Sequence, residues 1–99
     1  MIRHIVSWKL ISEDAEGKEA GFDTIRTALE ALPPLIPEIR ALQVGRNIAY
    51  PDSNWDVVLV ADYDSLDAVV AYQVHPDHQA AVAVIGPLVA QRSNVDFEL

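Results

Sequence analysis

The chain contains no cysteine, which excludes disulfides, zinc–thiolate centres and thiol nucleophiles together. Positive charge is scarce: seven Lys and Arg stand against fifteen Asp and Glu, for a formal net charge of −8. Phosphate backbones are held by clustered Lys and Arg, so this balance speaks against a nucleic-acid partner. It speaks equally against an anionic membrane surface, and the acidity is better suited to solubility. No apolar run approaches the roughly 18 residues of a membrane span. The opening MIRHIVSWKL lacks the basic region, apolar run and small-residue cleavage site of a signal peptide. A cytoplasmic protein is expected. A Gly-rich phosphate loop, a nucleophile elbow and a Walker-type lysine are also missing. Ser7, Ser12, Ser53, Ser65 and Ser93 have no serine-hydrolase context.

What is present is apolar. Of 99 residues, 51% are hydrophobic, and the mean hydropathy is +0.12. A chain this short forms one domain, 1–99, and buries only about 60–70% of its unfolded surface when it folds alone. Some of the apolar surface is therefore expected to meet a second copy, making a homodimer the favoured state.

Residues 2–10, IRHIVSWKL, alternate: Ile2, His4, Val6, Trp8 and Leu10 share one face, as in a strand. Ser12 offers an N-cap for a helix over about 13–32, with Phe22, Ile25, Leu29 and Leu32 at helical spacing. Gly17 and Gly21 weaken its first half, and Pro33 and Pro34 end it. A modest strand over 39–47 and a turn over 49–54 lead to WDVVLVADY (55–63), the strongest strand pattern in the chain. Both of its faces are largely apolar, so cover on both sides is expected. Asp64 and Ser65 cap a helix, LDAVVAYQV, which breaks at His75-Pro76; helical PDHQAAVAVIGPLVAQ follows, with a kink at Gly86-Pro87. SNVDFEL (93–99) alternates Val95, Phe97 and Leu99 as a closing strand. The order β-α-β-β-α-β is the ferredoxin-like α+β arrangement, a four-stranded antiparallel sheet with helices on one face. Pairing the bare faces of two such sheets would close a dimeric α/β barrel.

Four stretches carry a family resemblance: RHIVSWKL, LPPLIPEIRALQVGRN, WDVVLVADYDSLDAVVAYQVHPDHQ and the tail NVDFEL. Together they resemble the stress-responsive dimeric α/β-barrel (Dabb) family over nearly the whole chain. The most specific parts are the first-strand histidine, the "LP…IP…I…G.N" spacing and "Y..HP.H". The resemblance implies a homodimer with a cleft in each subunit between sheet and helices. Most members have no established activity. A few plant members are polyketide cyclases that perform an intramolecular aldol condensation without a cofactor, and in these the tyrosine and second histidine of "Y..HP.H" act as acid–base residues. The matching positions here are Tyr72 and His78, and the first-strand histidine is His4. The cyclase pattern can carry a histidine two residues into the third strand, where this chain has Asp56. The related fold also hosts haem-degrading monooxygenases, but no basic cluster here suits haem propionates. No cofactor is expected.

His78 shares a helical face with Val82, Ile85 and Val89. Desolvation and the nearby helix start disfavour its charged form, so a neutral imidazole could remove a proton next to a carbonyl. The plain alternative is a core histidine bonded to a neighbour. Tyr72 could donate to a carbonyl that becomes an enolate, or simply pack its ring with its hydroxyl in water. On one continuous helix these two side chains would lie about 120° apart. A break at Pro76 could aim both into one cavity. His75 sits where a cap belongs, and a His75–His78 metal pair lacks further ligands. His4 is the polar oddity on an apolar strand face: it either lines the cleft opposite His78 or bonds to buried backbone. Trp8 reads first as core, with stacking on a ligand as the alternative, and Asp56 is a candidate for the cleft mouth. The expected function is binding of a small carbonyl or phenolic compound, with proton transfer of cyclase, isomerase or lyase type. The rival is a non-catalytic dimer whose histidines are structural.

Overall fold

The computed structural model describes residues 1–99. Its elements are β1 (Ile2–Leu10), α1 (Ala15–Glu30), β2 (Ala41–Arg46), β3 (Val57–Tyr63), α2 (Leu66–Val74), α3 (Pro76–Ile85) and β4 (Val89–Glu98), with a single 3-10 turn at Gly86–Leu88. The four strands form one sheet in the order β2-β3-β1-β4, every neighbouring pair antiparallel. This is the ferredoxin-like arrangement, and no helix is long and apolar enough to cross a membrane.

Period-two alternation decides which residues meet the helices. On β1, Ile2, His4, Val6, Trp8 and Leu10 are buried, while Arg3, Ile5 and Ser7 on the opposite face are half-buried. β3 repeats the pattern, burying Val57, Leu59, Ala61 and Tyr63 and leaving Val58, Val60 and Asp62 half-buried. The expected double cover of β3 is thus complete only on the helix side within one chain. Helix α1 presents Ile25 and Leu29 to that side, and the connector adds Leu32, Ile36 and Ile39, so the Pro-rich linker belongs to the core.

Several boundaries differ from the sequence expectation. Asp14, not Ser12, caps α1: its carboxylate accepts from the Gly17 amide at 2.6 Å. Gly21 lets α1 approach the sheet, since a Cβ there would stand 3.0 Å from a Leu10 methyl. The second helical segment stops at Ile85 because Pro87 has no amide to continue it. The last strand consequently starts at Val89, four residues before the expected 93.

The helices do not cover the whole sheet. From Ala90 to Glu98 every residue of the edge strand β4 is exposed, and β4 pairs only with β1.

Candidate functional site

The break between α2 and α3 builds the site. In an unbroken helix the Tyr72 carbonyl would accept from residue 76, but Pro76 has no N–H. The His75 amide bonds to it instead, at 3.2 Å, and His75 swings out to extended backbone at φ −63°, ψ 135°. Its ring nitrogen Nδ1 then caps α3 by accepting from the Asp77 amide at 3.1 Å. That leaves the Gln73 carbonyl without its helical partner, residue 77. The His78 imidazole takes the place, with Nδ1 3.0 Å from the Gln73 oxygen.

This bond determines a tautomer. A carbonyl oxygen only accepts, so Nδ1 carries the proton and Nε2 of neutral His78 keeps its lone pair. Burial holds the His78 imidazole below its ordinary pKa of 6.5. The bond to Gln73 works in the opposite direction without overcoming it, and the positive charge of Arg92 adds to the lowering.

Tyr72 is fully buried at 0% exposure, so its hydroxyl does not stand in water as the packing alternative expected. Its ring lies 4.3 Å from that of His78, centroid to centroid. Two more rings continue the cluster: Tyr63, 5.1 Å from Tyr72, and His4, 6.1 Å from each tyrosine in edge-on geometry. The hydroxyls of Tyr63 and Tyr72 are both buried and lie near each other, but neither makes a hydrogen bond of good geometry. Burial pushes both phenols up, so both carry their protons.

His4 does have a partner. Asp96 lies directly opposite it on β4, with a carboxylate oxygen 2.5 Å from His4 Nδ1. The ring is 2% exposed while Asp96 keeps 28% of its side chain in solvent.

His4, Tyr72 and His78 line one cavity of about 440 Å³, with Tyr63 and Asp96 behind them and off its wall. Val6, Trp8 and Leu59 rise from the sheet as its apolar floor, while Leu29 and Ile85 close it from the helices. His4, Tyr72, Gln73, His78 and Arg92 supply its polar atoms. Val82 lines the cavity yet is 50% exposed, so His78 shares the buried face of α3 with Ala81 and Ile85 instead. Val89 also reaches the cavity, from the start of β4 and not from a continuing helix.

Four of the residues singled out from sequence, His4, Trp8, Tyr72 and His78, are therefore brought together. His75 and Asp56 are not. His75 is held as the cap between two helices and is absent from the cavity wall. Asp56 is 6% exposed and bonds to the Leu10 amide at 2.8 Å and to Lys18 Nζ at 3.0 Å, pinning α1 and the end of β1. Sequence reasoning overlooked Tyr63, Arg92 and Asp96. Tyr63 was legible as the next inward position after Leu59 and Ala61. Arg92 and Asp96 required the polar half of the β4 alternation, opposite to Val95 and Phe97. No three His, Asp or Glu side chains converge as a metal site.

The sequence profile of the stress responsive A/B barrel domain (Dabb) matches residues 2–99. An uncharacterized protein of Streptomyces coelicolor, SCO4036, is 33% identical over 87 residues, covering 85% of this chain and 86% of that protein. A crystal structure from Bacteroides fragilis, described as a dimeric protein of unknown function and ferredoxin-like fold, is 35% identical. It superposes with a TM-score of 0.88 over 99% of this chain and 95% of its own. A dimeric ferredoxin-like protein of unknown function from Thermobifida fusca is 38% identical, with a TM-score of 0.83 over 99% and 90% of the two chains. A hydroxynitrile lyase from Passiflora edulis shares the fold alone: it is 14% identical, with a TM-score of 0.80 over 99% and 92%. With the profile spanning all but the first residue and the strand order, the Y..HP.H break and the cavity behind it in place, the chain belongs to the stress responsive A/B barrel domain family.

Proposed function

We propose that the cavity binds a small carbonyl or phenolic compound and catalyses proton transfer at the carbon next to its carbonyl. The observation that carries this reading is the pairing of a proton-free Nε2 on His78 with the buried hydroxyl of Tyr72 beside it. His78 Nε2 would take the C–H proton, the C–H bonding pair would become the new C=C bond and push the carbonyl π pair onto oxygen, and the Tyr72 O–H would donate to the enolate formed. A phenol kept protonated by burial is suited to that donation. His4, held by Asp96 and edge-on to Tyr72, would orient or polarise the same oxygen. No cofactor is invoked. Collapse of the enolate onto a second carbonyl gives a cyclase, reprotonation at another carbon an isomerase, and expulsion of a leaving group a lyase. A lyase on the same fold in Passiflora edulis is an analogy of fold only.

The same reading includes a homodimer. The helix-free face of the sheet carries Ile5, Val58, Val60, Val95 and Phe97 in adjoining register, with Val95 58% and Phe97 40% exposed. A second copy placed on it would bury this patch, and two relatives above 30% identity are described as dimeric.

The test is deuterium exchange. Small ketones, keto acids and acylphenols are incubated with the protein in heavy water, and label next to the carbonyl is followed by NMR. Exchange catalysed by the wild type and lost in His78→Asn is the expected result. Exchange that survives His78→Asn overturns the role of His78. Binding without exchange of any compound favours the rival reading, a non-catalytic binding dimer in which the His78–Gln73 bond serves only to join two helices.

A further inference from the structure

The chain's cations are nearly all committed. Arg3, Lys18, Arg26, Arg40 and Arg46 each have a carboxylate within 3.8 Å. Of the seven Lys and Arg, only Lys9 and Arg92 have none. Lys9 is exposed on β1 outside the buried face. Arg92 stands on the cavity wall. It lies directly across from Trp8 on β4 and therefore shares the helix-side face of the sheet. The nearest acid on that face of its own strand, Asp96, lies four residues on, about 13 Å along the strand, and is engaged by His4.

Arg92 is exposed to solvent on β4, so water hydrates its guanidinium in the free protein. What singles it out, in a chain of net charge −8, is its place on the wall of an apolar cavity. Fifteen acids are available to it, and none is placed to neutralise it. Its charge reaches the other polar groups of the cavity: it disfavours the imidazolium of His78 and favours the phenolate of Tyr72. The second, independent observation is the Tyr72 hydroxyl, fully buried on the same cavity wall and without a well-formed hydrogen bond. The Arg92 guanidinium and the Tyr72 hydroxyl thus lie on the wall of one cavity, open at the Arg92 side, and neither makes a well-formed hydrogen bond to a protein acceptor. Arginine offers a planar fork of N–H groups that matches a carboxylate in bidentate fashion. The floor between, Val6, Trp8 and Leu59, suits an apolar body.

We infer that Arg92 is the anion anchor of this cavity, and that its ligands are small organic acids, with a carboxylate at Arg92 and an apolar, aromatic or alkyl body over Trp8 and Leu59. The carbonyl or phenolic oxygen of such a compound then lies inward, at Tyr72. This inference rests on the cavity being a ligand site, as proposed above, and narrows the ligand to an anion. Because β4 lies outside the helical cover, Arg92 stands at the open side of the cavity. Its carboxylate therefore enters last and desolvates least, which favours binding. The anchor also selects by orientation, since a neutral analogue has no reason to prefer either end.

The experiment is titration calorimetry with a series of 4-alkylbenzoates, methyl to pentyl, and the matching neutral benzamides. It uses the full chain in chloride buffer and compares wild type, Arg92→Gln, Arg92→Lys and His78→Asn. The wild type should bind each benzoate at least ten-fold more tightly than its benzamide. Arg92→Gln should weaken the benzoates by about ten- to a hundred-fold, the range for a charge-assisted hydrogen bond, and leave the benzamides unchanged. Arg92→Lys should keep part of the preference, as a point charge without the fork. The proposal is overturned if acids and amides bind the wild type alike, if Arg92→Gln keeps the acid preference, or if none of the acids binds in the millimolar range. His78→Asn separates the two readings. Acid preference that persists in His78→Asn, with no proton exchange by any variant, leaves the anchor standing and removes the catalytic role. Exchange lost in His78→Asn while Arg92→Gln changes nothing does the reverse.

Discussion

The rings of Tyr72 and His78 lie 4.3 Å apart, centroid to centroid, although six residues of helical chain would place them on different faces. Their meeting is produced by the residues between them. Pro76 withholds an amide, His75 turns extended and caps the next helix, and the Gln73 carbonyl is released to orient the His78 ring. Backbone accounting thus converts a helix break into a tyrosine and a histidine side by side on one cavity wall.

His78→Asn is the informative change at this position. The shorter amide can still donate toward the Gln73 carbonyl, so the melting temperature should fall by only a few degrees, whereas the base is gone. Proton exchange at the carbon next to a carbonyl should drop by about 10²- to 10⁴-fold, the usual contribution of a general base. His78→Ala, which also frees the Gln73 carbonyl, should lose the same activity and more stability while leaving the dimer intact. Exchange rates and thermal melts of both variants check this.

The pH response of stability has a definite sign. The folded pKa of His78 lies below the 6.5 of the free side chain, so the unfolded chain binds the proton more readily. Its contribution to stability is fully present above pH 6.5 and is lost as the pH falls through the lower folded value. Urea melts from pH 8 to pH 5 should show this loss in the wild type and a shallower dependence in His78→Asn. The activity should fall over the same acidic window, since only neutral His78 accepts a proton.

Tyr72→Phe should separate stability from activity. The hydroxyl is buried with no well-formed hydrogen bond, only the Tyr63 hydroxyl near it, and a buried hydroxyl left so costs about 1–3 kcal/mol. Its removal should therefore leave the melting temperature unchanged or raise it, while the proposed exchange activity falls by about 10²- to 10³-fold, as for loss of one donor to a developing oxyanion. A strong loss of stability in the phenylalanine variant would show that the hydroxyl has a structural partner.

Asp96→Ala leaves His4, 2% exposed, without its acceptor. A cost of about 1–3 kcal/mol is expected in a denaturant titration. Asp96→Asn keeps an acceptor and should recover most of that loss.

Asp56→Ala should cost stability of the same order, because the Leu10 amide and Lys18 both lose their buried partner. Ligand affinity should not change, because Asp56 is absent from the cavity wall. A change in affinity without a change in stability would return Asp56 to the site.

Much of this arrangement is legible in the chain. Strict alternation over Ile2–Leu10 marks a strand with one buried face, and the apolar run over 55–63 marks another strand, because a pleated strand has a period of two whatever it packs against. The break at His75-Pro76 is equally local: proline lacks an amide wherever it stands. The order of elements follows, and with it the ferredoxin-like sheet. His4 was conspicuous as a polar residue on an apolar face, and Tyr72 and His78 as a pair with a break between them.

Other features depended on distance in space. Asp56 and Asp96 are both acids on or beside strands, and nothing local says that one pins Lys18 and a backbone amide while the other holds His4. Strand register assigns those partners, and register across the sheet arises only when the whole set of apolar faces is buried together. Arg92 is one of seven basic residues in the chain. Its singularity lies in what is absent around it, the carboxylate that five others have found. The sequence by itself determined the order of the strands and the helix break, since these are matters of backbone period and of a missing amide. Only the tertiary structure decided which charges are neutralised and which remains at the cavity, because ion pairs form between residues far apart in the chain and depend on separations of a few ångströms.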